Sequence, residues 1–272
     1  MNPFIETIGV LAIALLGVFL GRAFSRRQNS SWILGYIIAL ILIAVLVAGR
    51  FLNALVFIKP FYWILTGRVK FVVLALAVTV GLTTPLSRLP YKFEKVLVCV
   101  LIAVVVIWFS VLPFLFPALI KNSLLSTKTL ISSEGICFQS RDYTCGPAAA
   151  VTALGKLGIN ATEADIAVRA HTSPVVGTLP LCLAESLEDL YASAGLKCYY
   201  RSFDSVSQLK EVTPALAVVK NSFLSDHCVT VLSVSDDSVT FADPVWGSKT
   251  ISNNDFEKIW RFAAIVLKRD PV

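Results

Sequence analysis

Histidine occurs only twice in these 272 residues, at 171 and 227, so chemistry that needs an imidazole has two candidates. Acids are nearly absent from the first half. Residues 1–128 carry Glu6 and Glu94 against twelve Lys and Arg, a net of +10; residues 129–272 carry sixteen acids against twelve bases, a net of −4. The overall +6 therefore describes short loops between apolar runs, where cations sit near lipid headgroups. It does not describe a nucleic-acid partner, because the second half has no basic stripe with interleaved aromatics. No Gly-x-x-x-x-Gly-Lys-Ser/Thr phosphate loop is present, so nucleotide hydrolysis is not encoded in this sequence. Cys-x-x-Cys and paired-His spacings are also missing, so no metal and no cofactor is expected. The second half holds five cysteines, an odd number without regular spacing, which gives no disulfide framework. Internal repeats and low-complexity tracts are lacking too.

What the first half has is apolar length. Runs at Phe4–Leu20, Trp32–Gly49, Phe71–Leu86 and Val96–Pro117 each approach the ~20 residues a helix needs to cross a bilayer core. A fifth stretch, Phe51–Thr66, has Lys59-Pro60 at its middle and reads either as an interfacial helix or as a kinked span. The first run lacks a basic start and a small-residue cleavage site, so it is expected to be retained as a helix rather than removed as a signal. Residues 1–120 are thus expected to be a multi-pass transmembrane region of four or five helices in a cell membrane. With five spans, seven basic loop residues share a side with the second half and four lie opposite, which favours a cytoplasmic second half; with four spans the count ties at six each.

A Ser/Thr-rich stretch at 121–133 reads as a linker, leaving 134–272 as one domain large enough for its own core. From Cys145 to Leu157 the chain is Ala-rich with apolar residues at helical spacing, closed by Gly158. A second short helix is expected from Thr162, where Thr-Glu-Ala-Asp resembles a capping box, and a third over Leu181–Ala194. The pattern then shortens to strand-like segments: Leu196–Phe203, Ala215–Lys220, Cys228–Ser235, Val239–Ala242 and Phe262–Lys268. Helices followed by neighbouring strands predict an α+β domain, an antiparallel sheet with helices on one side.

Within that domain, Thr144-Cys145-Gly146-Pro147 puts a thiol at a helix start, where unpaired N–H groups and the helix dipole favour the thiolate. Pro147 loses nothing there, because its missing N–H would have had no partner in the first turn. An imidazole would complete the activation, and His227, at the edge of a predicted strand, is a better mount than His171 in a Gly/Ser/Thr/Pro-containing connection. If Cys228–Ser235 and Val239–Ala242 form a hairpin around Asp236-Asp237, His227 and Asp243 emerge at the same end. That pairing selects Asp243 over Asp226, Asp236 and Asp237 to orient the imidazole. Gln139, six residues before the thiol, can aim an amide N–H at the spot served by the Cys145 backbone N–H, an oxyanion hole. Singly, each residue has an ordinary explanation: a buried thiol, a capping histidine, a turn carboxylate, a solvated amide. In this order the four point to acyl-transfer chemistry.

Gln139-(five residues)-Cys145-Gly146-Pro147, Gly177-Thr178 before a helix, Asp226-His227-Cys228-Val229-Thr230-Val231 and Ala242-Asp243-Pro244-(two residues)-Gly247 together resemble the C39 family of papain-like cysteine peptidases. The resemblance covers about 131–268. It implies Cys145 as nucleophile, His227 as base, Asp243 as orienting residue and Gln139 in the oxyanion hole, with cleavage of peptides after small residues such as a double glycine. The family includes the leader-cleaving domains of bacteriocin exporters, in which the peptidase precedes the membrane domain and an ATPase follows. Here the order is reversed, which implies a separate transporter as partner rather than a built-in one. The expected function is that of a bacterial membrane-anchored thiol peptidase acting on a peptide or protein substrate. The alternatives are an acyl or peptidyl transferase using the same thiol, and a non-catalytic membrane receptor for leader-like peptides.

Overall fold

The computed structural model describes residues 3–27, 30–222 and 225–270. The chain divides into two compact units, Met1–Ala118 and Leu119–Val272. In the first, α1 (Pro3–Ser25) and α2 (Ile33–Phe51) are followed by two short helices, α3 (Asn53–Val56) and α4 (Phe61–Thr66). Then come α5 (Val69–Thr83) and α6 (Lys92–Val106), the latter continuing through a π-helical turn, Ile107–Val111, into α7 (Leu112–Leu119). Three helical segments are long and apolar enough to cross a membrane: Pro3–Ser25, Ser30–Phe51 and Lys92–Leu119. The apolar α5 has 15 residues, and at ~1.5 Å of rise per residue it falls short of a ~30 Å hydrocarbon core. The stretch 51–66 is broken into α3 and α4, of four and six residues.

Small residues bring α1, α2 and α5 into close contact. A Cβ placed on Gly17 or Gly21 would overlap the hydroxyl of Thr79 or Thr83, and one on Gly35 that of Thr84. The three threonine hydroxyls in turn donate to carbonyls of their own helix, Thr79 to Ala75, Thr83 to Thr79 and Thr84 to Val80. Such small-residue seams let helix backbones approach where the surroundings offer no hydrophobic drive. Glu6 and Arg68, both largely buried, pair at 2.6 Å, with the guanidinium stacked on Phe114. Elsewhere the surface is apolar, with Phe4, Ile8, Leu15 and Phe19 more than half exposed on α1 alone.

The second unit is α+β. After α8 (Lys121–Leu125), a two-stranded ladder of β1 (Leu130–Ile131) and β2 (Cys137–Phe138) leads to α9 (Cys145–Lys156), α10 (Glu163–Arg169) and α11 (Pro180–Leu190). The segment 121–133 thus holds α8 and β1 and clusters with this unit. A six-stranded, wholly antiparallel sheet follows, from β3 (Leu196–Ser202), β4 (Ala215–Lys220), β5 (Asp226–Val234), β6 (Ser238–Asp243), β7 (Gly247–Ser252) and β8 (Trp260–Arg269), with α12 (Asn253–Ile259) between the last two. The spatial order is β3-β8-β4-β5-β6-β7. Five buried residues in succession, Ala215–Val219, show that β4 is covered on both faces. Leu216 faces the cluster built by α9, α10 and α11, including Ala149, Leu154, Ile166 and Leu187. Ala215, Ala217 and Val219 face a second cluster with Phe203 after β3, Leu209 of a 3-10 segment (Val206–Val212), Phe256 of α12 and Trp260 at the start of β8.

Candidate active site

Cys145 opens α9 and His227 lies on β5, two elements that pack against each other. The turn before α9 is pinned by Thr144, which is buried: its hydroxyl donates to the Arg141 carbonyl at 2.9 Å and accepts the Arg141 N–H at 3.1 Å. Helical bonding begins with Ala148 N–H to Thr144 C=O at 3.1 Å, so Cys145, Gly146 and Pro147 form the first turn. Gly146 is required by proximity: an added Cβ would lie 3.1 Å from Thr178 Cβ and 3.3 Å from Leu183. Thr178 is held there by its hydroxyl contact with Thr172 at 2.7 Å, next to Gly177 at φ +66°. The middle of α9 is fastened to the sheet, because the buried Thr230 hydroxyl on β5 donates to the Ala149 carbonyl at 2.7 Å.

His227 is the second residue of β5 and Asp243 the last of β6. The hairpin register runs Thr230↔Ala242, Val231↔Phe241, then a bulge, then Val234↔Val239. This brings His227 Nε2 to 2.9 Å from Asp243 Oδ1. That oxygen also accepts the Val245 N–H at 2.8 Å, while Oδ2 faces Lys249 Nζ at 4.0 Å. The Cys145 side chain also acts on the imidazole and raises its pKa, so the ring is near enough to feel both sulfur and carboxylate. Burial works to lower the His227 pKa, but the hydrogen bonds to Asp243 and Cys145 and the charges of both raise it to about 9. For Asp243, burial acts upward and is outweighed by the His227 and Val245 hydrogen bonds and the nearby cations, which hold the carboxyl below its usual range.

Two of the other carboxylates pair elsewhere, Asp226 with Arg261 at 2.9 Å and Asp236 with Lys210 at 3.0 Å. His171 closes α10 in the left-handed region, at φ 53°. Gln139 leaves β2 with its N–H donated to the Pro244 carbonyl at 2.9 Å, so the amide residue is tied to the turn that follows Asp243. Its Oε1 is buried with no hydrogen-bond partner among the described residues. The model of the peptidase C39 family matches residues 133–271, just over half of the chain. The chain belongs to the peptidase C39 family.

Two similar proteins each match about half of this chain. One, an uncharacterized protein of Methanothermobacter thermautotrophicus, is 29% identical over 141 residues, 52% of this chain and 93% of that protein. Another, from Methanothermobacter marburgensis, is 30% identical over 143 residues, 53% of this chain and 94% of that one. Among solved structures, the chain is similar to a double glycine motif protease from an AMS/PCAT transporter, in complex with its leader peptide, at 15% identity and TM-score 0.43, covering 53% of this chain and 96% of that one. It is also similar to the peptidase domain of Streptococcus ComA, a bifunctional ABC transporter, at 20% identity and TM-score 0.42, covering 53% and 100%.

Three other thiols of the C39 domain, Cys137, Cys198 and Cys228, are raised chiefly by burial. Burial, with the Glu163 charge as a second influence, pushes the Cys137 thiol up to about 12. Burial and the Glu188 charge do the same for Cys198, also to about 12. Cys228 is raised well above its ordinary value by burial first and by Cys145 second. No group of three or more His, Cys, Asp or Glu among the described residues is placed to hold a metal ion. Sequence reasoning did not single out Lys249 or the Val245 N–H. The signal for Val245 was Asp243-Pro244 itself, since an Asp before a turn commonly accepts an N–H two residues on.

Proposed function

We propose that this C39 protein is a membrane-anchored thiol peptidase in which Cys145 is the nucleophile, His227 the acid–base group, Asp243 its orienting partner and Gln139 an oxyanion donor. The observation that supports the reading is the His227 Nε2 to Asp243 Oδ1 bond at 2.9 Å, on an imidazole whose pKa the Cys145 side chain also raises. With Nε2 bonded to Asp243, the other ring nitrogen, Nδ1, serves the sulfur, so the carboxylate sets the tautomer and steadies the cation. The thiolate attacks the peptide carbonyl, forming a C–S bond as the carbonyl electrons move to oxygen. The Cys145 N–H and the Gln139 amide stabilise that oxygen where charge develops. His227 then gives its proton to the leaving amine as the C–N bond breaks, leaving an acyl group on the sulfur. Water, losing a proton to the now neutral imidazole, releases the acid and restores the thiolate–imidazolium pair.

Peptides with small residues before the cut, such as a leader ending in two glycines, are the substrate class this reading assigns. The three long apolar helices supply the anchor. The test is turnover of a Gly-Gly-aminocoumarin peptide by the full chain in detergent. Cys145→Ala is expected to abolish hydrolysis, with a loss of about 10⁴-fold or more, as is usual when a covalent nucleophile is removed. Unchanged turnover in Cys145→Ala would refute the reading.

A further inference from the structure

The loop that carries Gln139 rests on a buried carboxylate that lies outside the reacting groups. Glu163, the first residue of α10, is only 1% exposed. Its Oε1 accepts the Ser140 backbone N–H at 3.0 Å and the Ser140 hydroxyl at 2.9 Å. Its own N–H donates to Thr129 Oγ1 at 3.0 Å, and Thr162 caps the helix by accepting the Asp165 N–H at 3.1 Å. Oε2 is buried without a hydrogen-bond partner among the described residues. A core position filled by an acid with one oxygen unsatisfied is worse for stability than a packed apolar residue, so packing does not account for Glu163.

What the carboxylate does is hold Ser140, the residue bonded to Gln139. From the other direction the Pro244 carbonyl holds the Gln139 N–H at 2.9 Å. The 139–140 backbone is therefore clamped between α10 and the turn that follows Asp243, and the Gln139 side chain departs from a fixed Cα. An oxyanion donor is useful only when held within about half an ångström of the position where charge develops. We propose that Glu163 is a positioning residue that fixes the Gln139 amide, acting through Ser140. The proposal rests on the reading of Gln139 as an oxyanion donor.

The test is a double-mutant cycle on the full chain in detergent, with the Gly-Gly-aminocoumarin peptide as probe and iodoacetamide alkylation of Cys145 as a second readout. Alkylation passes through no oxyanion, so it reports folding and thiol activation without the hole. Gln139→Ala is expected to lower kcat by about 10²-fold. Glu163→Ala should lower kcat by about tenfold or more, with KM within about twofold, and the double variant should be no slower than Gln139→Ala alone. Glu163→Gln keeps an oxygen acceptor for Ser140 and should recover most of kcat. Alkylation should stay within about twofold of the parent in every variant. Losses that multiply in the double variant, an unchanged kcat in Glu163→Ala, or alkylation falling in parallel with kcat would overturn the role of Glu163 while leaving Gln139 in place. An unchanged kcat in Gln139→Ala removes the oxyanion assignment, and this proposal with it. Should Glu163→Ala not fold, Ser140→Ala replaces it in the cycle: a loss absorbed by Gln139→Ala supports the clamp, and a multiplicative one or none refutes it.

Discussion

His227 is subject to opposed influences, and their balance sets a pH window. Burial alone would favour the neutral ring, yet two hydrogen bonds and two negative partners raise its pKa to about 9. A raised value means the proton is held through neutral pH and lost only as pH climbs through about 9. Because the leaving amine needs that proton, kcat/KM should fall on the alkaline side near pH 9. Asp243→Asn removes the charge and should move that limb toward lower pH along with a loss of rate. A wild-type limb near the ordinary histidine value of ~6.5, or one indifferent to Asp243→Asn, would contradict the balance. The four side chains of the proposed site were legible because each sits in a short motif. Glu163 was not: an acid in the first turn of a helix behind a threonine cap already has a local explanation, and its contact with Ser140 spans 23 positions. Lys249 lies in a polar stretch with no pattern to mark it.

α9 and β5 carry the sulfur and the imidazole, so their mutual anchoring sets the distance between them. The bond from Thr230 to the Ala149 carbonyl is fully buried and 2.7 Å long. Thr230→Val keeps the shape and removes the bond, which should cost about 1 kcal/mol of stability. Labelling of the fully buried Cys137 as denaturant rises reads the change, with the midpoint moving to lower concentration. An unmoved midpoint would mean that the hydroxyl contributes no anchoring. Elements with apolar periodicity were readable from the sequence: β4 matches its expected bounds, α9 ends at Lys156 beside Gly158 at φ +70°, and α10 has the anticipated threonine cap. β7 was invisible because it is an edge strand with a mostly exposed pattern, and Gly-Ser-Lys-Thr offers no alternation. α12 was announced only by Ser252, which accepts the Asp255 N–H at 3.1 Å, and by one buried aromatic, Phe256.

At the scale of the whole molecule, an acid-poor, all-helical unit precedes a C39 domain in one chain. The apolar runs in the first half marked three helices of spanning length, but composition could not foresee that 51–66 would break into two short pieces or that α5 would stop at 15 residues. Those boundaries depend on packing against neighbours, as in the glycine–threonine seams, and not on hydropathy. The proposed chemistry draws on residues of the second unit, where Asp243 bonds the His227 imidazole and Cys145 raises its pKa. The most direct measurement is iodoacetamide labelling of the full chain across pH, with the modified cysteine located by mass spectrometry. The account predicts labelling concentrated at Cys145, and slowed at that residue in His227→Ala. Labelling spread over Cys137, Cys182, Cys198 and Cys228 at ordinary thiol pH, or a Cys145 profile indifferent to His227, would contradict it.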